Sequence, residues 1–192
     1  MESYQAIEDF ILKKLKEELP ADLYYHSVYH TRDVVKAAEL IAAEEKISED
    51  DLFLLKVAAL YHDSGFIHTY KQHEEESCRI ARAYLPAFGL NNEQIEIICG
   101  MIMATKIPQQ PHTQLEKIIA DADLFYLGGT DYDRISTSLF EELKIYLNVT
   151  DQREWNEIQV NFLSNHHYHT DYGKTHLAPG KQKHLDKIKS YL

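Results

Sequence analysis

The sequence predicts an all-α protein, a bundle of about eight to nine helices. Three observations carry this. Apolar residues recur at three- and four-residue steps nearly throughout, and no stretch alternates as a half-buried strand would. Capping residues and helix breakers fall where those periodic stretches begin and end. The 192 residues suit one domain, and only 7 Gly and 5 Pro are spread along them, without a linker, a low-complexity tract or an internal repeat.

Taken in order, Ile7, Phe10, Ile11 and Leu15 define a first amphipathic helix that Pro20 closes. A second runs from about Ser27 to Lys46, with Val34, Ala37, Ala38 and Ile41 on one face. Ser48 and Asp51 resemble a capping box opening a third. Its stretch Leu52–Tyr61 is apolar almost all round, the mark of a helix buried on every side and hence of the core's centre. An irregular stretch, Ser64 to Gln72, precedes a helix from about Glu74 to Leu85. Asn91 with Gln94 caps the next, which carries Ile95, Ile98 and Ile102. Beyond Pro108 and Pro111, a helix with Leu115, Ile118, Ile119 and Ala122 is expected to stop at Gly128-Gly129. Helices at about Tyr132–Asn148 and Asp151–Asn165 follow, and a short helix ends the chain.

With 20 Lys+Arg against 31 Asp+Glu, the formal charge is -11. That argues against a nucleic-acid polymer as partner, which requires a clustered basic surface. Only two cysteines, Cys78 and Cys99, argue against a disulfide framework and favour a reducing compartment. The opening MESYQAIEDF lacks the layout of a signal peptide, and no apolar run approaches the roughly 18 residues of a membrane helix. The expected location is therefore cytoplasmic, away from the membrane; self-association is left open.

The chain has 11 His and 13 Tyr. Histidine is the commonest metal ligand and the usual acid or base near neutral pH. His30 shares a helix face with Val34 and Ala37, so it faces the core. His62 and Asp63 end the most buried helix. Burying such an ionisable pair is costly unless something compensates, and a metal ion does so because it prefers neutral imidazole and ionised carboxylate. Asp121 and Asp123, on the helix of Ile118 and Ile119, add carboxylates from a third buried helix.

On His30 in YHTRDVV, His62-Asp63 in AALYHDSGF and an aspartate in IIADADLFYLGG, the chain resembles the HD superfamily of metal-dependent phosphohydrolases. The resemblance covers about residues 24–127; helices in 131–192 would pack on that core, so that 1–192 forms a single HD domain. It implies one divalent ion (Mn²⁺, Fe²⁺, Co²⁺, Ni²⁺ or Mg²⁺) held by His30, His62, Asp63 and Asp123, a set suited to octahedral coordination completed by waters. Asp123 is preferred as the last ligand because Ala122 and the apolar Ile118 and Ile119 precede it; Asp121 is then an alternative ligand or a carboxylate that orients a ligand from outside.

The segment HEEES resembles an HExxS stretch of nucleotide-hydrolysing members, implying catalytic roles for His73, His68 and Glu74, with Ser77 in the same cluster. Lys106 and Arg32 are the candidate phosphate-binding residues, Lys174 and Lys183 further cations, and the tail NHHYHTDYGKTH could line the pocket mouth. Its His166, His167 and His169 are otherwise expected at the surface. The implied activity is hydrolysis of a small phosphate ester or nucleotide through a metal-activated water. Two departures narrow it. Met103-Ala104-Thr105 stands where two-metal members carry another histidine, and Phe66–Tyr70 stands where guanosine-tetraphosphate hydrolases carry Glu-Asp. The competing readings are an HD-fold di-iron oxygenase and a non-catalytic sensor or binding module stabilised by its ion.

Overall fold

The core forms around α3 (Glu49–Tyr61), which packs against α1 (Tyr4–Glu18), α2 (Val28–Glu45), α5 (Asn92–Ala104) and α6 (Gln114–Asp123). A computed structural model describes residues 4–192; the first three residues of the opening MESYQAIEDF lie outside them. Among the described residues there are nine α-helices and no strand, with short 3-10 turns between several of them and a π-helical turn at Gly173–Leu177. The remaining four are α4 (His73–Tyr84), α7 (Tyr132–Tyr146), α8 (Gln152–Asn165) and α9 (Ala178–Lys189).

The all-round apolar stretch of α3 is buried as its composition requires: Leu55 and Val57 through Tyr61 have no exposed surface. The small Ala58 and Ala59 let neighbouring helices approach closely. Ile7, Ile11 and Leu15 of α1, and Val34, Ala38 and Ile41 of α2, face the same core. Local chemistry sets the helix starts. Ser48 Oγ accepts from Asp51 N at 3.1 Å, and Asn91 with Gln94 forms a reciprocal capping box. Thr113 with Glu116 forms a second such box at the start of α6, a signal the sequence reading passed over.

The helix expected to reach Gly128-Gly129 ends earlier. Asp123 is its last residue, Leu124 leaves the helical region (φ -100°, ψ 22°), and a 3-10 turn spans Phe125–Gly128. The irregular stretch after His62 likewise contains a 3-10 turn, Ser64–Ile67.

The C-terminal helices build a second apolar cluster around Leu127, Tyr132, Leu163, Tyr168, Leu177 and Leu185. Here α9 lies directly on the turn that follows Asp123: a Cβ on Gly180 would stand 2.1 Å from Gly128 O. Lys181, buried on α9, donates to Leu163 O at 3.0 Å and to His166 O, satisfying carbonyls that the end of α8 leaves open. Replacing Gly180 by Ala gains a little helix propensity but drives a methyl into backbone, and the clash prevails. Stability is expected to fall by about 2 kcal/mol, measured as the shift in urea midpoint at constant slope.

Candidate metal centre

Four helix ends and turns converge on one buried point. His30 sits in the first turn of α2, His62 is the residue that ends α3, Asp63 follows it, and Asp123 ends α6. His30 Nε2 lies 3.3 Å from His62 Nε2 and 3.1 Å from Asp123 Oδ1. His62 Nε2 lies 3.5 Å from that same Asp123 oxygen. Asp63 Oδ2 approaches His62 Nε2 at 3.1 Å and His30 Nε2 at 3.4 Å.

These spacings fit an ion. Two ligand atoms at right angles, each about 2.1 Å from a common centre, lie about 3 Å apart. One atom each from His30, His62 and Asp123 falls within 4.8 Å of the others. The decisive atom is Asp63 Oδ2, which is buried and has no hydrogen-bond partner. A buried carboxylate oxygen left in that state is costly unless a cation meets it. Without one, the charges lean on each other. Burial lowers the affinity of His62 for a proton, but the Asp63 and Asp123 carboxylates outweigh that and hold it well above its ordinary value. Burial raises Asp123 as well, yet hydrogen bonds from His30 and His62 bring it down to about 2.

The local backbone is fixed from α4. Ser77 Oγ donates to His62 O at 2.6 Å and accepts from Gly65 N at 2.8 Å. The turn and α4 are so close that a Cβ on Gly65 would lie 2.0 Å from His73 O. His62 Nδ1 is bonded to Ala59 O at 2.8 Å, which leaves Nε2 for the cluster.

Asp121 is not part of the cluster. Two residues from Asp123, it points about 200° away around the helix. Its Oδ1 accepts from His169 N at 2.9 Å, and Oδ2 from Thr170 N at 2.9 Å and Thr170 Oγ1 at 2.6 Å. Burial raises its pKa, offset in part by those donors. The tail thus clamps α6 from behind instead of lining a pocket mouth. Of its histidines, His167 is exposed as expected, whereas His166 and His169 are partly buried. Burial, with Lys181 adjacent, pushes His166 down to about 3.

The other expected residues separate into two sets. His73 Nε2 is 3.6 Å from Asp63 Oδ1 and 3.5 Å from the buried Glu74, so both stand beside the cluster. His68 turns outward to Glu76, with Arg79 at 3.3 Å. Lys106 is tied to Glu75 at the surface, and Arg32 lies on the exposed face of α2, away from His30. These three lie outside the cluster and line neither cavity beside it. Lys174 is exposed near Asp171, and Lys183 is exposed on α9.

Two important residues escaped sequence reasoning. Glu142, on α7 and without exposed surface, accepts from Tyr25 N at 2.9 Å, His26 N at 3.1 Å and Tyr70 OH at 3.1 Å, and pairs with His26 Nδ1. The His26 ring stacks on Phe66, whose other stacking partner is His73. Burial depresses His26, but Glu142 together with the Asp63 and Asp123 carboxylates outweighs it and raises the imidazole; the pairing with His26 lowers Glu142 against its own burial cost. The signal was present: Glu142 is a lone acid on the apolar stripe Leu139, Leu143, Tyr146.

Two cavities adjoin the cluster. One, about 440 Å³, reaches His30 and Asp123 and has Lys36 and Arg134 in its wall. The other, about 370 Å³, reaches Asp63, Asp123, His73 and Glu74 and extends between α7 and α8.

Helix ends bring together a histidine, a buried His-Asp pair and a distant aspartate, and the HD domain family matches this chain over residues 27–126. The chain belongs to that family. Among curated proteins none matches. Two solved structures share the fold along nearly the whole chain. The Lin1889 protein from Listeria innocua is 20% identical, with 98% of this chain and 94% of that one covered at a TM-score of 0.65. Bacillus subtilis YpgQ in complex with ADP is 16% identical, with 98% and 96% covered at a TM-score of 0.65. No helix is long and apolar enough to cross a membrane among the described residues.

Glu142→Gln is expected to cost about 2–3 kcal/mol, since it removes one charge of a buried pair. The depressed carboxylate adds stability that is full above its unfolded pKa and lost in acid. The raised imidazole adds stability that is full below its unfolded pKa and lost in base. The wild-type advantage is therefore greatest between about pH 4.3 and 6.5 and declines on both sides. Urea denaturation of both proteins across pH 3 to 9 measures it.

Proposed function

We propose that the protein is a metal-dependent phosphohydrolase acting on a small phosphate ester or nucleotide, with one divalent ion held by His30, His62, Asp63 and Asp123. The observation that supports this most is the partnerless, buried Asp63 Oδ2 beside two imidazole nitrogens at 3.1 and 3.4 Å. Nitrogen and oxygen donors in equal number suit Mn²⁺, Fe²⁺, Co²⁺, Ni²⁺ or Mg²⁺. When bound, such an ion supplies Lewis-acid polarisation of a phosphoryl oxygen and makes a water nucleophilic near neutral pH. The chain's own residues supply the proton transfers. His73, beside Asp63 and Glu74, is the candidate proton donor to the leaving oxygen. His26, oriented by Glu142 and lining the same cavity, is a second. The ADP bound to the structural relative supports including nucleotides among the candidates.

A test separates catalysis from an ion kept for stability. Chelated protein is reloaded with each divalent ion and assayed on phosphomonoesters, phosphodiesters and nucleotides, with ion content measured by elemental analysis. His62→Ala is expected to retain under about a tenth of the ion and no activity. His73→Ala is expected to retain the ion and lose about 10²–10⁴-fold in kcat. Activity unchanged in His73→Ala, or absent in the reloaded wild type, refutes the proposal.

A further inference from the structure

Resting on the hydrolase reading, a narrower statement follows from the cavity between α7 and α8. Its volume is about 370 Å³, more than twice the roughly 150 Å³ that admits benzene. At one end stand Asp63, Asp123, His73 and Glu74. The wall leading away from them is apolar: Leu139 and Leu143 from α7 and Leu147 just past its end, with Trp155, Ile158 and Phe162 from α8. No lysine or arginine lines it. The polar groups of the α7–α8 wall are already engaged, since Tyr132 OH and Ser136 Oγ both donate to Gln159 Oε1, at 2.8 and 2.7 Å.

Charge decides what enters. The carboxylates of Asp63, Asp123 and Glu74 border this space, so a single divalent ion leaves little positive charge over. One phosphoryl group can sit at the ion, but a second or third would meet apolar carbon and carboxylate without a cation. The cations of the neighbouring cavity already have carboxylates of their own: Lys36 is 3.6 Å from Asp33, and Arg134 is 3.1 Å from Asp131.

We propose that the substrate is a monophosphate ester of an uncharged, largely apolar alcohol or phenol, its phosphate at the metal cluster and its body between α7 and α8. Nucleoside di- and triphosphates fall outside this class.

The test uses the full chain loaded with Mn²⁺ and two readouts. Calorimetry measures binding of methyl-, butyl- and hexylphosphonate, ADP and ATP; hydrolysis is measured on the matching alkyl phosphates and the two nucleotides. Affinity is expected to rise about two- to fourfold per methylene from methyl to hexyl. ADP and ATP are expected to bind at least about tenfold more weakly than hexylphosphonate. Ile158→Lys, at a partly exposed position of the wall, is expected to weaken hexylphosphonate about tenfold, leave methylphosphonate unchanged and improve ADP. Leu147→Ser, at the exposed rim, is a second variant expected to weaken only the longer chains. A flat ladder, or ADP or ATP binding more tightly than hexylphosphonate, overturns the substrate class even if phosphate esters are hydrolysed. A steep ladder without hydrolysis of any ester supports the ligand class and refutes the hydrolase reading instead.

Discussion

Everything in this molecule is arranged around a convergence of polar atoms that would not come together unaided. Two imidazole nitrogens lie 3.3 Å apart in one buried place, each 3.1 to 3.5 Å from a carboxylate oxygen of Asp63 and of Asp123. Protons can stabilise the group only partly, because Asp63 Oδ2 makes no hydrogen bond although two imidazole nitrogens lie within 3.4 Å of it. Rigid elements have to hold it in place. Three helix ends do so, and helix ends are well suited because each has a fixed direction and a backbone secured on the helical side. Ser77 then ties the His62 carbonyl to the Gly65 amide, so the His-Asp turn cannot relax away from its neighbours.

The same logic explains the helices outside the matched segment. The family match ends at residue 126, yet α7 supplies the carboxylate that fixes the Tyr25–His26 backbone, and the segment before α9 supplies the donors that fix Asp121. Asp121 and Asp123 divide the work of one short helix. The first attaches α6 to the C-terminal segment, and the second faces the cluster. Buried charge here has a positioning use: Glu142 fixes the segment that leads into the helix of His30, and Asp121 fixes the helix that carries Asp123.

Much of this was legible in the sequence. Helix periodicity located α1 to α8 and left only the short final helix without bounds, and the all-round apolar stretch of α3 announced the core. His30, His62, Asp63 and Asp123 stood out because ionisable groups on apolar faces require an explanation. Legibility failed where geometry beyond a single helix decides. The end of α6 at Asp123 follows from packing of the 125–128 turn under α9, which no local signal encodes. His68, Lys106 and Arg32 looked suitable by type and nearness in sequence, but each side chain leaves the site because of a nearby carboxylate or the far face of its helix. His26 and Glu142 went unread because their partnership spans 116 residues, although the acid on its apolar stripe was visible.

The order of these parts along the chain also has a consequence for biogenesis. The cluster's side chains are complete at residue 123, but the groups that hold them, Glu142, His169 and Thr170, emerge from the ribosome later. While those residues are still in the exit tunnel, a nascent chain carries all four donors without their supports. The final geometry of the cluster therefore belongs to the finished chain, because the groups that fix it are made last.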